Sequence, residues 1–485
     1  MGYIKSRLMQ IDYKWKVFLV VSIGLFTSVF DFHSVVVALP SIATEFDTDL
    51  PTVQWVVIGY GLTVAALLLP MGRLADIVGR KEIYVIGFII FTLGGALAAF
   101  STGVNYLIIS KLFQGLGSAM TQGVSMAMVI AAFGSNDRGK ALGLTMSVVG
   151  AGGIVGPAIS GFLVGYAGWQ SVFFTTAALG AITVLVSILF LKNNMQSNNG
   201  TTTFDWMGAI FSTITLVSFL SAMTMGSRAG WGYPLVSVSF LICTLSLVVF
   251  VWWETRTDIP LLDVRLFKQG LFGFGVAASF LAFMSTQSIR FLIPFYLQLV
   301  LGYSPQMVGW TVLPASFCLV IMGPLSGKLS DKYGWKMFNI GGLVISGIGL
   351  LILSRININS QAWLIITAMT IQSMGVGMFN APNNSAILSV VDPTKYGVVS
   401  GFLNLIRNSA NVTGIAIATA VVTATMGIMG YPPSLSALDD SNNAGILEAF
   451  VQGLKITYLV GAGFVFCGSI MSIFGAKNEK DIHLP

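Results

Sequence analysis

The sequence predicts an all-α membrane protein with fourteen transmembrane helices and both termini on the cytoplasmic side. Composition, the number of apolar runs and the placement of basic residues each support this fold class. Hydrophobic residues make up 55% of the 485 residues and charged residues only 9%, whereas a soluble domain carries about 25% charged residues. Because so few charges cannot cover the surface of a soluble fold, the composition excludes a soluble enzyme and a disordered scaffold.

The first six apolar runs begin soon after the basic residues at the start of the chain. Each is close to the length of about 20 residues that crosses a bilayer as a helix. They cover residues 17–39, 53–71, 83–102, 106–133, 139–166 and 170–191. The fourth and fifth runs exceed this length, which predicts helices that tilt or protrude into water.

Eight further runs complete the set of fourteen. Polar segments at 193–204 and 254–270 flank two of them, at residues 206–226 and 234–253. The last six cover residues 272–300, 306–326, 338–354, 362–384, 396–425 and 454–475.

The basic residues give an independent test of this count, because Lys and Arg favour cytoplasmic loops. With the N-terminus inside, 19 of the 25 basic residues fall in cytoplasmic segments and three fall outside. The other three, Lys111, Arg290 and Arg407, lie within spans. Because one missed span would reverse every later loop, an even count with both ends inside is favoured. The net charge of +6 comes from basic residues whose distribution indicates membrane topology. No nucleic-acid partner is therefore expected.

A loop sequence occurs twice, which indicates an internal repeat. Gly72, Asp76, Gly79 and Lys81 after the second span recur 255 residues later as Gly327, Asp331, Gly334 and Lys336 after the tenth. The chain then divides into a six-helix half at 1–192, linkers with two inserted helices at 193–271, and a six-helix half at 272–485. Parallel repeats of this kind place a solute path between the halves near the middle of the bilayer.

Rare residues exclude several kinds of site. The three cysteines, Cys243, Cys318 and Cys467, lie in different apolar runs, so no disulfide framework is expected. With only His33 and His483 as histidines, no metal site or other cofactor is expected. The sequence also lacks the HExxH, P-loop and GxSxG motifs of enzymes, and no loop is long enough for a catalytic or sensory domain. A membrane enzyme or sensor is therefore only a remote alternative.

Asp31 is the most informative single residue, because it is the one acidic residue of 19 placed well inside a span. An intramembrane carboxylate costs about 2.5–3.5 kcal/mol on insertion scales and usually serves a function. Thr27 and Ser34 share its helical face. A carboxylate that moved between a buried and a charged environment would bind and release a proton, although simple pairing with Arg290 or Arg407 is the alternative. His33 lies on another face, and either takes part in proton transfer or bonds a neighbouring helix.

The charges inside the spans also allow a second interpretation of the substrate. Lys111, Arg290 and Arg407 stand against Asp31 alone. A cavity with this balance favours anionic or lipid-like solutes over cations.

Two glycine-containing segments have a structural and a functional interpretation. Small residues let helices pack closely, and proline can bend a helix; the fifth span contains Gly143, Gly152, Gly156, Pro157 and Gly161. The repeated loop is either a positively charged turn or a clasp that holds one conformation closed. Its candidate residues are Gly72, Asp76, Gly79, Arg80 and Asp331.

At these residues the chain resembles the major facilitator superfamily, and within it the fourteen-span drug:proton antiporter family. The matching segments are Asp31–Pro40, Gly72–Lys81, Gly143–Gly161, Phe204–Trp206, Pro260–Phe267, Tyr296–Gln298 and Pro382–Arg407. Three departures are Lys111 where the fourth-span signature has arginine, and His33 and Val36 in place of threonine and asparagine. Ser160 stands where the family usually has glycine.

The resemblance implies a multi-pass transporter of the plasma membrane that works by alternating access. Its expected partners are the lipid bilayer, protons, and small hydrophobic or amphipathic compounds that it exports. Asp31 would serve proton coupling or substrate binding, with Lys111 as its charge partner. Asp76 and Arg80 would form the conformational clasp. Thr27, Ser34, Gln114, Arg290 and Arg407 are the expected residues of the substrate path.

Overall fold

A computed structural model of the chain describes residues 12–133, 138–192, 205–230, 232–257, 264–392, 396–431 and 444–477. Over these ranges no residue is in a strand, and fourteen helices are long and apolar enough to cross a membrane. The predicted fold class and span count are therefore confirmed. Phe204, residues 260–263 and His483 lie outside the described ranges.

The first half of the chain supplies six helices, which begin and end close to the predicted runs. A one-turn helix, Leu50–Val53, precedes the second of them. The six are α1 (Tyr13–Glu45), α2 (Trp55–Val78), α3 (Arg80–Ala99), α4 (Val104–Phe133), α5 (Arg138–Ala167) and α6 (Gln170–Phe190).

The rest of the chain supplies the inserted pair and the second half. The inserted helices are α7 (Trp206–Ala229) and α8 (Pro234–Glu254). The second half contains α9 (Gly270–Phe295), α10 (Pro305–Tyr333), α11 (Trp335–Leu353), α12 (Ala362–Ser389), α13 (Tyr396–Ile428) and α14 (Ala444–Lys477). A π-helical turn, Tyr296–Val300, extends α9.

The repeated loop contains a matched pair of helix breaks. Gly79 has a φ of 128° between α2 and α3, and Gly334 has a φ of 86° between α10 and α11. Residues with a side chain rarely adopt this backbone region, so glycine is required at both positions. The repeat is therefore structural as well as sequential.

The helices of the two halves pack in the same pattern. In the first half α1 packs on α4, α5 and α6, α2 on α4, and α3 on α4 and α6. In the second half α9 packs on α12, α13 and α14, α10 on α12, and α11 on α12 and α14. Each of these contacts in one half has its counterpart in the other, as a duplicated six-helix unit would have. The division at residues 192 and 272 stays a prediction.

The halves meet along two equivalent seams, α5 with α10 and α2 with α13, and α1 also touches α9. At the end of the interface that the topology predicts to be external, Gln298 Nε2 donates to Val37 O at 3.1 Å. A Cβ on Gly165 would meet the carboxamide of Gln306. Both contacts join one half to the other. The inserted helix α7 packs on α2 and α13, one helix from each half.

Candidate functional site

A buried ion pair joins α1 and α4 in the first half. Lys111 Nζ lies 2.8 Å from Asp31 Oδ2, and the two side chains are 2% and 0% exposed. Gln114 closes a triangle with them, because its Oε1 accepts from Lys111 Nζ at 2.6 Å and its Nε2 donates to Asp31 Oδ1 at 3.2 Å. The charge partner expected for Asp31 is thus in contact with it.

Two aromatic rings complete the surroundings of the ammonium group, and the sequence did not reveal them. Lys111 Nζ lies 4.6 Å from the centre of the Tyr60 ring and 5.6 Å from that of Phe173. A cation held over an aromatic face gains electrostatic attraction. The Tyr60 hydroxyl in turn lies 2.6 Å from Ser118 Oγ. Both rings stand in ordinary apolar runs, where no spacing distinguishes them from other core residues.

The polar residues near Asp31 on α1 serve packing in this conformation. Ser34 Oγ donates to Gly156 O at 3.1 Å, and Ser160 Oγ donates to Ser34 O at 2.7 Å. Thr27 Oγ1 donates to Ile23 O within its own helix at 2.8 Å. Because Thr27, Ser34 and Gln114 are all 0% exposed, they do not line an open path here.

The glycines of α5 lie at two helix interfaces. A Cβ on Gly152 would approach Val29 to 3.1 Å, and a Cβ on Gly156 would approach Phe30 O to 3.1 Å. The lack of a side chain at both positions therefore lets α1 pack closely against α5. Gly161 lies against Pro305 and Gly309 of α10. These three positions therefore bring α5 close to one helix of each half.

The remaining predicted residues of α5 are less informative. Pro157 lies within the helix, and its carbonyl faces Gly309. Gly143 is in the first turns of α5, where only the backbone is described.

A second charged cluster lies where α1 meets the other half. Arg290 Nη1 of α9 is 3.2 Å from His33 Nε2 and 3.4 Å from His33 Nδ1. Arg407 lies on α13, which packs on α9, and its Nη2 donates to Asn404 Oδ1. His33 therefore bonds a neighbouring helix, and Asp31 pairs with neither arginine. The cluster joins the two halves, which the spacing within single helices could not show.

The position in the second half that corresponds to the ion pair is uncharged. A Cβ on Gly94 would meet Gln114, and a Cβ on Gly349, 255 residues later, would meet Gln372. Gln372 Nε2 donates to Thr286 Oγ1 at 3.1 Å. In the same way Ser288 Oγ donates to Gly414 O at 3.0 Å, as Ser34 does to Gly156. Only the first half therefore holds an ion pair at this position.

The loop residues contact their own half. Asp76 Oδ1 accepts from Arg80 Nη2 at 2.9 Å, and Arg80 Nη1 donates to Ala127 O of α4 at 3.4 Å. A Cβ on Gly72 would lie 3.2 Å from Gly123 O, also of α4. Asp331 is exposed at the equivalent end of α10. Whether these residues act as a clasp stays a prediction.

No group of three His, Cys, Asp or Glu side chains suited to a metal occurs among the described residues. Inside the described spans, the charged groups brought together are the Asp31–Lys111 pair and the cluster of His33 and Arg290 near Arg407.

Comparison with known proteins supports the architecture. The riboflavin transporter RibZ of Clostridioides difficile (strain 630) is 31% identical over 471 residues, which are 97% of this chain and 99% of RibZ. The multidrug resistance protein Stp of Mycobacterium tuberculosis (strain CDC 1551 / Oshkosh) is 27% identical and covers 88% of this chain, with 80% of Stp matched.

The fold is similar to that of a solved transporter. The crystal structure of a bacterial homologue of the human lysosomal transporter Spinster, in an inward-facing and unoccupied conformation, superposes with a TM-score of 0.70 at 15% identity. The match covers 98% of this chain and 99% of that one. The family model described as Major Facilitator Superfamily matches residues 21–415. The chain belongs to the Major Facilitator Superfamily.

Proposed function

We propose that the protein is a proton-coupled antiporter of the plasma membrane that exports small hydrophobic or amphipathic compounds. The observation that carries this proposal is the buried Asp31–Lys111 pair, held at 2.8 Å with almost no exposure. Ionisable groups at this depth are costly, and in transporters they commonly form proton relays. Asp31 is the carboxylate of the pair and therefore the proton acceptor in the proposal.

The geometry supplies a way to couple a proton to a conformational change. Protonation of Asp31 would remove the negative charge that Lys111 faces, and leave the ammonium with Gln114 Oε1 and the rings of Tyr60 and Phe173. A buried charge without its partner is strongly unfavourable. The protonated state would therefore favour a different arrangement of α1 and α4. Since α1 also contacts α5 and α9, such a rearrangement would reach the interface of the halves.

The available energy is sufficient for export. One proton moving inward across 100 mV releases about 2.3 kcal/mol. At about 1.4 kcal/mol per tenfold change, this maintains roughly a 40-fold outward gradient of a neutral solute. A multidrug resistance protein among the relatives supports the choice of substrate class.

The proposal is tested in everted membrane vesicles that are acidified inside by respiration. Addition of the neutral hydrophobic probe N-phenyl-1-naphthylamine should release part of the pH gradient, measured with a pH-sensitive dye. Asp31→Asn should reduce this release at least tenfold, because the amide cannot carry the proton.

Asp47→Asn is the matched control for this test. Asp47 is exposed in the loop after α1 at a φ of 44°, a conformation that asparagine also adopts readily. This control should behave like the unmodified protein. Full proton release by Asp31→Asn would remove Asp31 from the mechanism.

A second candidate substrate is riboflavin itself. It is favoured by the similarity to RibZ, which extends over 97% of this chain and 99% of that transporter. Proteoliposomes that contain the protein should then move riboflavin, followed by its own fluorescence, faster than protein-free liposomes. Equal rates would exclude this substrate and leave the first proposal in place.

A further inference from the structure

We propose that Arg290 and Arg407 bind an acidic group on the transported compound, so that the preferred substrates are amphipathic organic anions. Such a compound has an aromatic or aliphatic body and a carboxylate, sulfonate or phosphate group. This inference rests on the proposed export function and names its substrate class.

The first argument is the charge that remains after the ion pair is formed. Lys111 and Asp31 neutralise each other at 2.8 Å, which leaves the guanidinium groups of Arg290 and Arg407. In the described parts of the chain no carboxylate lies within ion-pair distance of either arginine. Charged groups inside a membrane are rare and usually pair or mark a substrate path. Two positive charges without a counter-charge therefore call for an anion from outside the protein.

The partners that the arginines do have are neutral. Arg290 Nη1 contacts the His33 ring at 3.2 Å, and Arg407 donates to the amide oxygen of Asn404. A histidine nitrogen or an amide oxygen can accept a hydrogen bond but supplies no negative charge. The five N–H groups of a guanidinium leave further donors free for a carboxylate or a phosphate, which they match in shape.

An unmatched donor lies on the same side of α9 as Arg290. Gln287 precedes Arg290 by one turn of α9, is 2% exposed, and its buried Nε2 has no acceptor. Buried donors are nearly always satisfied in native structures. An anion placed among these groups would supply the missing acceptor oxygen.

The cluster is more exposed than the ion pair. His33, Arg290 and Arg407 are each partly exposed, whereas Asp31 and Lys111 are 0% and 1% exposed. The cluster also lies where α1 contacts α9 of the other half. In the proposal, a solute that enters between the halves therefore meets the arginines before the ion pair.

An aromatic surface adjoins the cationic groups. The Phe32 ring is partly exposed and packs edge-on against His33, with centroids 5.4 Å apart. The same ring lies 6.2 Å from that of Tyr60. The site thus offers charge for an acidic group and apolar contact for a ring. Since His33 belongs to one half and both arginines to the other, a bound anion would contact both halves at once.

The test uses two probes that differ in one group. The sulfonate 1-anilinonaphthalene-8-sulfonate is N-phenyl-1-naphthylamine with an added anionic group. In proteoliposomes with an imposed pH gradient, the sulfonate should be exported at least fivefold faster than the neutral probe. Arg290→Gln combined with Arg407→Gln should slow sulfonate export at least tenfold and abolish the fivefold preference for the sulfonate over the neutral probe.

Two control variants separate charge from folding. Arg290→Lys with Arg407→Lys keeps both charges and should retain most sulfonate binding, measured in detergent by quenching of tryptophan fluorescence. Arg355→Gln removes an exposed arginine of an external loop and should match the unmodified protein.

Vesicles of phosphatidylcholine with and without phosphatidylglycerol identify the source of the anion. Competition by phosphatidylglycerol would assign the site to a lipid headgroup, and absence of competition to a free solute.

The outcomes distinguish this inference from the proposed function. If both probes were exported by the proton gradient at equal rates and the glutamine variants affected them equally, the anion site would be wrong and proton-driven export would stand. If neither probe were driven by the gradient but sulfonate binding still required the arginines, the proposed function would fail and the anion site would stand.

Discussion

Asp31 and Lys111 form their ion pair where, in this conformation, water does not reach either side chain. Both are almost fully buried, and Gln114 and two aromatic rings fill the remaining space around the ammonium group. Loss of one member of a buried pair typically costs about 3–5 kcal/mol, because the other charge stays buried. Replacement of both members by neutral groups is often harmless to stability.

The pair therefore predicts a characteristic double-mutant result. Lys111→Met should lower the free energy of unfolding by about 3 kcal/mol, because it leaves the Asp31 carboxylate without a cation. Asp31→Asn combined with Lys111→Met should recover most of this loss but remain inactive in transport. Thermal unfolding in detergent measures the first quantity and vesicle assays the second. A double variant no more stable than Lys111→Met alone would contradict the prediction.

At this scale the sequence revealed the charges but only some of their partners. Asp31 stood out because a carboxylate is rare in an apolar run, and the resemblance suggested Lys111. The contact between Arg290 and His33 could not be predicted, because spacing along a helix defines faces of that helix and not the helix opposite. Tyr60 and Phe173 were missed because an aromatic residue in an apolar run gives no distinct signal.

Among the helices, α5 packs closely on one helix of each half. Gly156 faces the backbone of α1, and Gly161 faces α10 of the other half. Hydrogen bonds of Ser34 and Ser160 hold the α1 contact at the same level. A side chain larger than hydrogen at Gly156 would push α1 outward and strain these bonds.

The prediction for this element compares two glycines in different environments. Gly156→Ala should lower both the unfolding temperature and the transport rate, because the new Cβ would lie 3.1 Å from the backbone oxygen of Phe30. Gly323→Ala in α10, with no atom within 4 Å of its Cβ, should be neutral or stabilising, since alanine is the better helix former by about 1 kcal/mol. Equal behaviour of the two variants would show that the close approach has no effect.

The existence of each helix was predictable, and the ends were less so. α1 extends over Tyr13–Glu45 although its apolar run covers only 17–39, and α14 begins at Ala444, ten residues before its run. Hydropathy marks the part of a helix inside lipid, whereas polar turns continue it into water. A tertiary contact or a cap, which the hydropathy does not report, decides where such a helix ends.

For the whole molecule, two described contacts join the halves at the end of their interface that is predicted to be external. Gln298 bonds Val37 across it, and Gly165 lies against Gln306. Alternating access requires this end to open in another state. The count of spans could be read from the sequence because apolar runs and basic loops mark each span, whereas the two-half division, inferred from the repeated loop motif, stays a prediction. The conformation could not be read from the sequence, since both states use the same helices.

The contacts at the predicted external end imply a reversible lock. In a background without Cys243, Cys318 and Cys467, Gly165→Cys with Gln306→Cys should form a disulfide on oxidation, because the two side chains would meet. Transport of N-phenyl-1-naphthylamine should stop and return after reduction with dithiothreitol. Gly165→Cys alone should stay active under oxidant. Unchanged transport by the cross-linked protein would mean that this end need not open.

Gln114 and Gln372 occupy corresponding positions in the two halves. Gln114 lies beside an ion pair and Gln372 beside a hydroxyl, so the two halves differ in charge at this position. In the two proposals, Asp31 of the first half would carry the proton, and Arg290 and Arg407 of the second half would bind the acidic group of the substrate. Substitutions that change the substrate specificity could then accumulate in the second half without disturbing proton coupling in the first. Such a division would let relatives that share proton coupling transport very different compounds.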